Sequence, residues 1–372
     1  MPAGGDDDRL RVGFDDQIFQ AQNRGGISRA FVELIPRLRQ HGIEPIVLST
    51  GTRNRHLVES GLVPARPSHP VLERAQWLTW RATGHPRSMP RIPSLDVMHH
   101  TFTHGSYLSA WDGPRVVTVA DMTPELFPEY FPLGNPHFAK RRYAEVSDAI
   151  IAVSQNTADD MYRLYSTDLA PKTHVVPNGV SARFFERRPG RLALPERYLL
   201  FVGVRGGYKH FDLAVEAFAR LARTDPELRL VVVGGGVLRR AERDLLERHG
   251  VLDRVIHLSP PDEDMPEVYR RAAVFVFPSI YEGFGLPTIE ALASGAPLVL
   301  ADASVSRELG EDAALYADPG DAESLTEMIR QAMTPERAAL VAERGPSIAR
   351  RYDWDEIAGA TAAVYRSASS GR

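Results

Sequence analysis

The strongest chemical signal lies in a glycine-rich segment that follows a predicted buried strand. Gly283 and Gly285 allow backbone N–H groups to approach a ligand, and Pro287 favours the start of a helix whose N-terminus attracts an anion. We place Glu282 in the loop and Glu290 in the first turn of that helix. Taken alone, the two glutamates fit a loop carboxylate and a helix-dipole partner. Beside an anion site, however, carboxylates can accept hydrogen bonds from hydroxyl pairs of ribose or a hexose, so the segment predicts a sugar-nucleotide site.

Two further glycine-rich turns could bind the phosphates of such a ligand. Arg205 and Lys209 share a loop with Gly203 after another predicted strand, and two cations on a flexible loop suit a diphosphate. Gly25 and Gly26 lead into the first long helix, and we predict that they approach the same phosphates from the other half of the chain. Both turns therefore support a nucleotide ligand.

Three other patterns imitate functional sites. The glycines at 234–236 resemble a dinucleotide fingerprint, but Arg239 occupies the position of the last glycine, so we interpret them as a close-packing turn. The acidic residues 262–264 lie between prolines and are interpreted as a solvated loop. His99, His100 and nearby His104 do not share one helical face, which favours one cleft-lining histidine over a metal site.

The elements that must position these residues alternate along the chain. Apolar runs typical of buried strands occur at residues 11–14, 45–48, 97–100, 116–119, 149–153, 173–176, 198–202, 228–233, 255–258, 274–277 and 297–300. Helical patterns occur at 27–41, 137–145, 155–165, 211–222, 238–249, 267–272, 287–294 and 322–333. The alternation predicts an α/β protein with two doubly wound parallel sheets.

Size and composition bound the class of protein. The 372 residues indicate two domains, with 43% apolar and 25% charged residues. A net charge of −4 gives no reason to expect nucleic acid, and without cysteine there is no thiolate chemistry. The acidic start differs from a signal peptide, and the sequence has no long apolar run. We expect a cytoplasmic protein whose membrane contact is at most peripheral.

These motifs together resemble glycosyltransferase family 4, the retaining family with the GT-B fold. The segment 282–290 resembles its two-glutamate signature, and 203–209 resembles its phosphate-binding loop. Residues 176–180 are similar to the end of its first domain, and 351–355 to the start of a last helix. The resemblance implies two Rossmann-like domains facing across a cleft: 1–180 on the acceptor side, 181–350 for the donor, and 351–372 returning to the first domain.

The resemblance also implies roles for individual residues. Glu290 would hold ribose and Glu282 the donor hexose, while Arg205 and Lys209 would neutralise the diphosphate. Asp121 would belong to the catalytic group. Backbone groups would line the donor pocket at Gly25, Gly26, Gly203, Gly283, Phe284, Gly285 and Leu286. The expected acceptor-side residues are His99, His100, Thr101 and Tyr107. Residues 53–93 match the family least; because they break the alternation and contain several prolines, we interpret them as a helical excursion or a mobile flap.

One position departs from the family pattern. The family places a histidine before the aspartate after the fourth strand, whereas this chain has Ala120 before Asp121. In similar enzymes that histidine reaches the 6-hydroxyl of the donor sugar. Either His99 or His100 supplies the contact to an ordinary hexose, such as mannose on GDP, or the donor is modified at its sixth carbon.

We therefore predict a retaining glycosyltransferase that needs no cofactor and no obligatory metal. Its donor would be a GDP- or UDP-hexose, and its acceptor a glycan, a lipid-linked molecule or a natural product. Two alternatives remain: an NAD-type oxidoreductase built on the turn at 234–236, and a non-catalytic partner protein that keeps the GT-B fold. The oligomeric state does not follow from the sequence.

Overall fold

The computed structural model describes residues 9–49, 52–63, 94–131, 135, 137–187 and 190–371. The chain forms two compact units, one of Met1–Gly179 with Trp354–Arg372 and one of Val180–Asp353. These bounds differ by a few residues from the predicted boundaries. Most of the segment 53–93, predicted as a helical excursion or flap, lies outside the described residues.

The N-terminal unit contains, within the described residues, a parallel sheet in the order β2-β1-β3-β4-β5-β6. Its strands are β1 (Leu10–Asp15), β2 (Ile43–Leu48), β3 (Val97–His100), β4 (Arg115–Val119), β5 (Ala149–Ala152) and β6 (Thr173–Val175). Its helices are α1 (Gln17–Ala21), α2 (Gly26–Arg37), α3 (Arg55–Glu59), α4 (Thr123–Leu126), α5 (Lys140–Val146) and α6 (Gln155–Leu164). The central strands are buried, as expected for a sheet covered on both faces.

The C-terminal unit repeats this architecture with the strand order β12-β11-β10-β7-β8-β9 among its described residues. Its strands are β7 (Tyr198–Val202), β8 (Arg229–Val233), β9 (Val255–Leu258), β10 (Val274–Phe277), β11 (Leu298–Ala301) and β12 (Leu315–Ala317). Its helices are α7 (Phe211–Ala222), α8 (Arg240–Arg248), α9 (Met265–Arg270), α10 (Leu286–Ala293), α11 (Ser306–Gly310), α12 (Ala322–Ala332) and α13 (Pro335–Ala349). The predicted fold of two parallel-sheet domains is confirmed.

The last helix, α14 (Trp354–Ser370), belongs to the N-terminal unit. Its Trp354, Ile357 and Tyr365 are buried in the same apolar cluster as Phe14 and Phe31. This burial stabilises the return of the chain to the first unit, as predicted.

Each sheet has one point at which the strand order reverses. In the N-terminal unit it lies between β1 and β3, and in the C-terminal unit between β7 and β10. Loops that leave the carboxyl ends of two such strands diverge to opposite sides and leave a crevice, where open α/β sheets bind ligands. The glycine-rich loops predicted to bind the donor follow β7 and β10, so the fold places them at this crevice.

Candidate functional site

The C-terminal unit brings Lys209 and Glu282 together at the β7–β10 crevice. The Lys209 ammonium forms an ion pair with the Glu282 carboxylate, and both side chains are largely shielded from solvent. Lys209 Nζ also lies 5.2 Å from the centroid of the Phe277 ring, close enough for a cation–π contact. The backbone N–H of Ile280 donates to the Tyr208 carbonyl at 3.0 Å, which ties the two loops together. A cation and a carboxylate are thus held side by side at the ligand-binding edge of the sheet.

Glu290 lies on α10, the helix that follows the Glu282 loop. Its carboxylate is buried, with the residue 3% exposed, and the Tyr269 hydroxyl donates to Oε2 at 2.9 Å. Glu290 is the fifth residue of α10, in its second turn, and not in the first turn as predicted. Tyr269, on α9, was missed by the sequence analysis because its spacing to Glu290 matches no local motif. The tyrosine fixes the orientation of the carboxylate.

The loop before α10 has the backbone conformation that its glycines predict. Gly285 caps the helix with φ +91°, a left-handed conformation that side chains rarely adopt, and Thr288 N–H donates to its carbonyl at 2.8 Å. Gly203 has φ +138° at the end of β7. Phe284 is buried against the Tyr352 ring, with a centroid distance of 5.6 Å, so its side chain anchors the loop. Gly283 is buried, and Leu286 is the first residue of α10.

Arg205 is buried beside the turn at residues 234–237, and its direct contact with a diphosphate stays a prediction. Its side chain is 0% exposed, and its Nε donates to Glu242 Oε2 at 3.1 Å. Its remaining donors bind the backbone carbonyls of Gly234, Gly235, Gly236 and Val237. The buried carboxylate and the carbonyls left exposed by the tight turn together attract the guanidinium inward.

The same contacts explain the turn at Gly234, Gly235 and Gly236. All three glycines have positive φ, and a Cβ on Gly235 would lie 2.8 Å from Arg205 NH1. A Cβ on Gly234 would lie 3.2 Å from the Gly203 carbonyl oxygen. The glycines permit close packing around an arginine, which agrees with the close-packing interpretation and disfavours a nicotinamide cofactor at this turn.

In the N-terminal unit a buried polar network occupies the β1–β3 crevice. Asp15, at the end of β1, accepts hydrogen bonds from the Thr101 hydroxyl at 2.6 Å and the Thr101 N–H at 3.0 Å. His100 Nδ1 lies 2.8 Å from the other Asp15 oxygen, and the Tyr107 hydroxyl donates to Asp16 at 3.1 Å. The sequence analysis missed both aspartates, although their position at the carboxyl end of β1 was a usable signal.

His99 is an interior residue. Its Nδ1 lies 2.6 Å from the Tyr365 hydroxyl and its Nε2 lies 2.8 Å from Thr118 Oγ1, while Phe14 and Phe31 contact the ring. Burial lowers the pKa of His99 to about 3, so the imidazole is neutral at physiological pH.

The predicted acceptor-side residues His99, His100, Thr101 and Tyr107 are all buried. Their role toward an acceptor stays a prediction, as does a contact of His99 or His100 with the donor sugar in place of the histidine that is absent at Ala120. Their burial follows from the apolar sheet around them and from the buried Asp15 carboxylate, which requires hydrogen-bond donors.

Asp121 lies at the carboxyl end of β4 beside a buried lysine. Its Oδ1 accepts from Thr123 N–H at 3.2 Å, and its carbonyl accepts from Lys140 Nζ at 2.7 Å. Lys140 also donates to Glu125 at 2.8 Å, so it links the β4 loop to α4. Burial, followed by the positive charge of Lys140, lowers the pKa of nearby His137 to about 4. Asp121 remains partly exposed at the ligand-binding edge, and its catalytic role stays a prediction.

Gly25 and Gly26 form the start of α2. Gly25 is the N-cap residue, and a Cβ there would lie 2.2 Å from Gln22 Oε1. Gln22 Oε1 accepts from Ser28 N–H at 3.3 Å, so the glycine makes room for a side chain that caps the helix. Their predicted contact with phosphates remains untested.

Neither a membrane span nor a metal cluster is found within the described ranges. In that part of the chain no helix is long and apolar enough to cross a membrane. Likewise, the described residues include no group of three His, Asp or Glu side chains arranged to hold a metal ion.

Comparisons with known proteins agree with this architecture. The family described as "Glycosyl transferases group 1" matches residues 182–345, and "Glycosyltransferase Family 4" matches residues 24–184. The chain is 33% identical to the D-inositol 3-phosphate glycosyltransferase of Xylanimonas cellulosilytica, over 74% of this chain and 73% of that protein. It is 27% identical to O-antigen chain mannosyltransferase B of Escherichia coli, over 68% and 70%. The structure of Anabaena HepE in complex with UDP-glucose superposes with a TM-score of 0.68 at 18% identity, over 95% of this chain and 98% of that one.

Two Rossmann-like units, with glycine-rich loops and two glutamates at the donor crevice, define a nucleotide-sugar glycosyltransferase of the GT-B type. Within that class, the chain belongs to glycosyltransferase family 4.

Proposed function

We propose that this enzyme transfers a hexose from a nucleoside diphosphate sugar to a carbohydrate hydroxyl with retention of anomeric configuration. The observation that carries the proposal is the Lys209–Glu282 ion pair at the β7–β10 crevice, with Glu290 oriented by Tyr269 on the helix that follows. A cation paired with one carboxylate, and a second carboxylate on the next helix, suit a ligand that combines a diphosphate with several hydroxyl groups.

Each group then has one task. Lys209 neutralises the charge that develops on the diphosphate as the bond from the anomeric carbon to the phosphate oxygen breaks. Glu290 accepts hydrogen bonds from the ribose hydroxyls, and Glu282 accepts them from the hexose. The acceptor oxygen forms the new bond to the anomeric carbon on the face that the diphosphate leaves. Its proton passes to the departing phosphate oxygen.

In this proposal Arg205 acts without contacting the ligand. Because it binds Glu242 and the carbonyls of the Gly234–Gly236 turn, it joins the end of β8 to the loop after β7. We assign it the role of a positioning residue that keeps Lys209 in place, which replaces the predicted direct contact with phosphate.

The relatives narrow the donors and acceptors to test. The Escherichia coli relative is named as a mannosyltransferase of the O-antigen chain, and the Anabaena structure holds UDP-glucose. GDP-mannose and UDP-glucose are therefore the first donors to test. Oligosaccharides and inositol phosphate are the first acceptors, since one relative is named for glycan and another for inositol phosphate transfer.

The test is a transfer assay with both donors, with excess chelator and without it, followed by proton NMR of the product. We expect transfer that survives the chelator and a product that keeps the donor's anomeric configuration. Lys209→Met, which keeps a side chain of similar length without the charge, should lower kcat at least a hundredfold, about 2.7 kcal/mol or more. An inverted product, or a Lys209→Met variant within threefold of wild type, would overturn the proposal.

A further inference from the structure

A cavity lies at the opposite edge of the C-terminal sheet from the donor crevice. It has a volume of about 670 Å³ and is bordered by Arg197, Ala273 and Pro297, the residues just before β7, β10 and β11. These residues mark the amino-terminal ends of the strands, whereas Lys209 and Glu282 follow their carboxyl ends. The volume falls within the range of small-molecule sites, roughly 300–1,000 Å³.

The cavity is strongly cationic. Four arginines line it: Arg187, Arg197, Arg270 and Arg350. Glu343 is the acidic residue in the lining, and Arg197 forms an ion pair with Asp225 at 3.2 Å. In the described part of the chain, the other three arginines have no carboxylate within 4 Å.

The positive charges are brought together at an energetic cost. Burial, followed by the nearby Arg187 guanidinium, lowers the pKa of Arg270 below its ordinary value. The ends of α10 and α12 contribute about half a negative charge each. Together with Glu343, and with Asp225 beside Arg197, they compensate about three of the four positive charges. A bound anion would relieve the remaining repulsion.

We propose that this cavity is a second ligand site, for a small molecule that carries two or more phosphate groups. Guanidinium groups bind phosphate oxygens in pairs, and convergent arginines suit a multiply charged anion better than a carboxylate. The concave shape favours a small ligand over a flat membrane surface. The proposal does not depend on the identity of the donor sugar.

The test measures binding of inorganic pyrophosphate by calorimetry at physiological salt. Lys209→Met serves as the parent protein, because it weakens phosphate binding at the donor crevice. We expect saturable binding that drops at least tenfold when Arg187→Gln and Arg350→Gln are added together. Arg240→Gln is the matched control: this arginine is 95% exposed on α8 and does not line the cavity, so its loss should leave binding unchanged.

A second variant tests the volume of the cavity rather than its charge. Ala338→Phe keeps all four arginines but fills part of the volume, and it should also weaken pyrophosphate binding tenfold. Thermal unfolding of each variant verifies folding. The proposal is overturned if the parent does not bind pyrophosphate, or if folded cavity variants bind it like the Arg240→Gln control. It is also overturned if the arginine variants lose binding only to phosphatidylglycerol vesicles, because the phosphates would then belong to a lipid surface.

Discussion

Glu290 and Glu282 should contribute to different steps, and changing each one to glutamine separates them. Glutamine keeps the shape of Glu290 but turns a charge-assisted hydrogen bond to ribose into a neutral one. Hydrogen bonds to charged groups contribute about 1.5–3 kcal/mol, and neutral ones about 0.5–1.5 kcal/mol. The difference of about 1–1.5 kcal/mol corresponds to a rise of roughly fivefold to twelvefold in the Kd of the bare nucleoside diphosphate.

Glu282→Gln should behave in the opposite way. Its carboxylate neutralises Lys209 and would repel a diphosphate in the crevice. Two unit charges about 6 Å apart interact by about 3 kcal/mol at an effective dielectric constant of about 20, and partial exposure reduces this value. We expect the bare diphosphate to bind the variant as well as wild type, or up to about tenfold tighter. Transfer should nevertheless fall at least tenfold, because a contact with the sugar is lost.

The assay is calorimetric titration with UDP and GDP, combined with transfer rates for the same proteins. Tyr269→Phe is the control, because it removes the hydrogen bond that orients Glu290 and leaves the carboxylate intact. It should weaken the diphosphate less than Glu290→Gln does. Equal losses of diphosphate affinity in the two glutamine variants would refute the division of roles.

Three further predictions concern other parts of the chain. Arg205→Ala should lower the free energy of unfolding by about 1–3 kcal/mol, because the carbonyls of the turn at residues 234–237 lose their donor, while Glu242 keeps its ion pair with Arg239. Denaturant unfolding checks this, and unchanged stability with lost diphosphate affinity would restore a direct contact. Unfolding at several pH values tests His99, whose pKa in the folded protein is about 3. Its stabilising contribution is complete above about pH 6.5 and is lost progressively toward pH 3. His99→Gln should reduce that loss of stability. In a donor panel, Ala120→His should improve the use of an ordinary hexose relative to a 6-deoxy sugar by about 1 kcal/mol, roughly fivefold. This prediction is contradicted if the wild type already prefers the ordinary hexose tenfold and the histidine does not improve it.

The fold could be predicted because buried strands and amphipathic helices carry local patterns. Every predicted strand appears within about two residues of its expected place, and the pairing within both sheets is parallel, as the alternation with helices predicts. The exceptions also have local causes. The edge strand β12 is three residues long and only partly buried, which leaves no continuous apolar run to detect. Helix α13 contains an internal proline and a glycine, Pro346 and Gly345, that weaken its helical pattern.

The parts of the candidate site that depend on backbone conformation could be predicted from the sequence. Gly203 and Gly285 adopt positive φ, and the loops that contain them lie at the crevice. The glycine content of these loops therefore predicted where they lie. The partners of buried polar groups could not be predicted in the same way. Tyr269 is 21 residues from Glu290, and Glu242 is 37 residues from Arg205. Such pairs form only when the sheet has brought distant helices together.

Arg205 shows why the direction of a side chain is the hardest property to predict from composition. An arginine on a glycine-rich loop suits a phosphate site, but the glycines of a neighbouring turn also expose carbonyl oxygens that compete for its donors. In this chain Gly234 and Gly236 offer those carbonyls, and Glu242 adds a buried charge beside Arg205. Lys209, four residues later, has Glu282 within reach and stays at the crevice. The two cations of one loop therefore have different roles: Arg205 stabilises the loop and Lys209 lies at the crevice. The carboxylate that the tertiary structure places beside each cation decides its role.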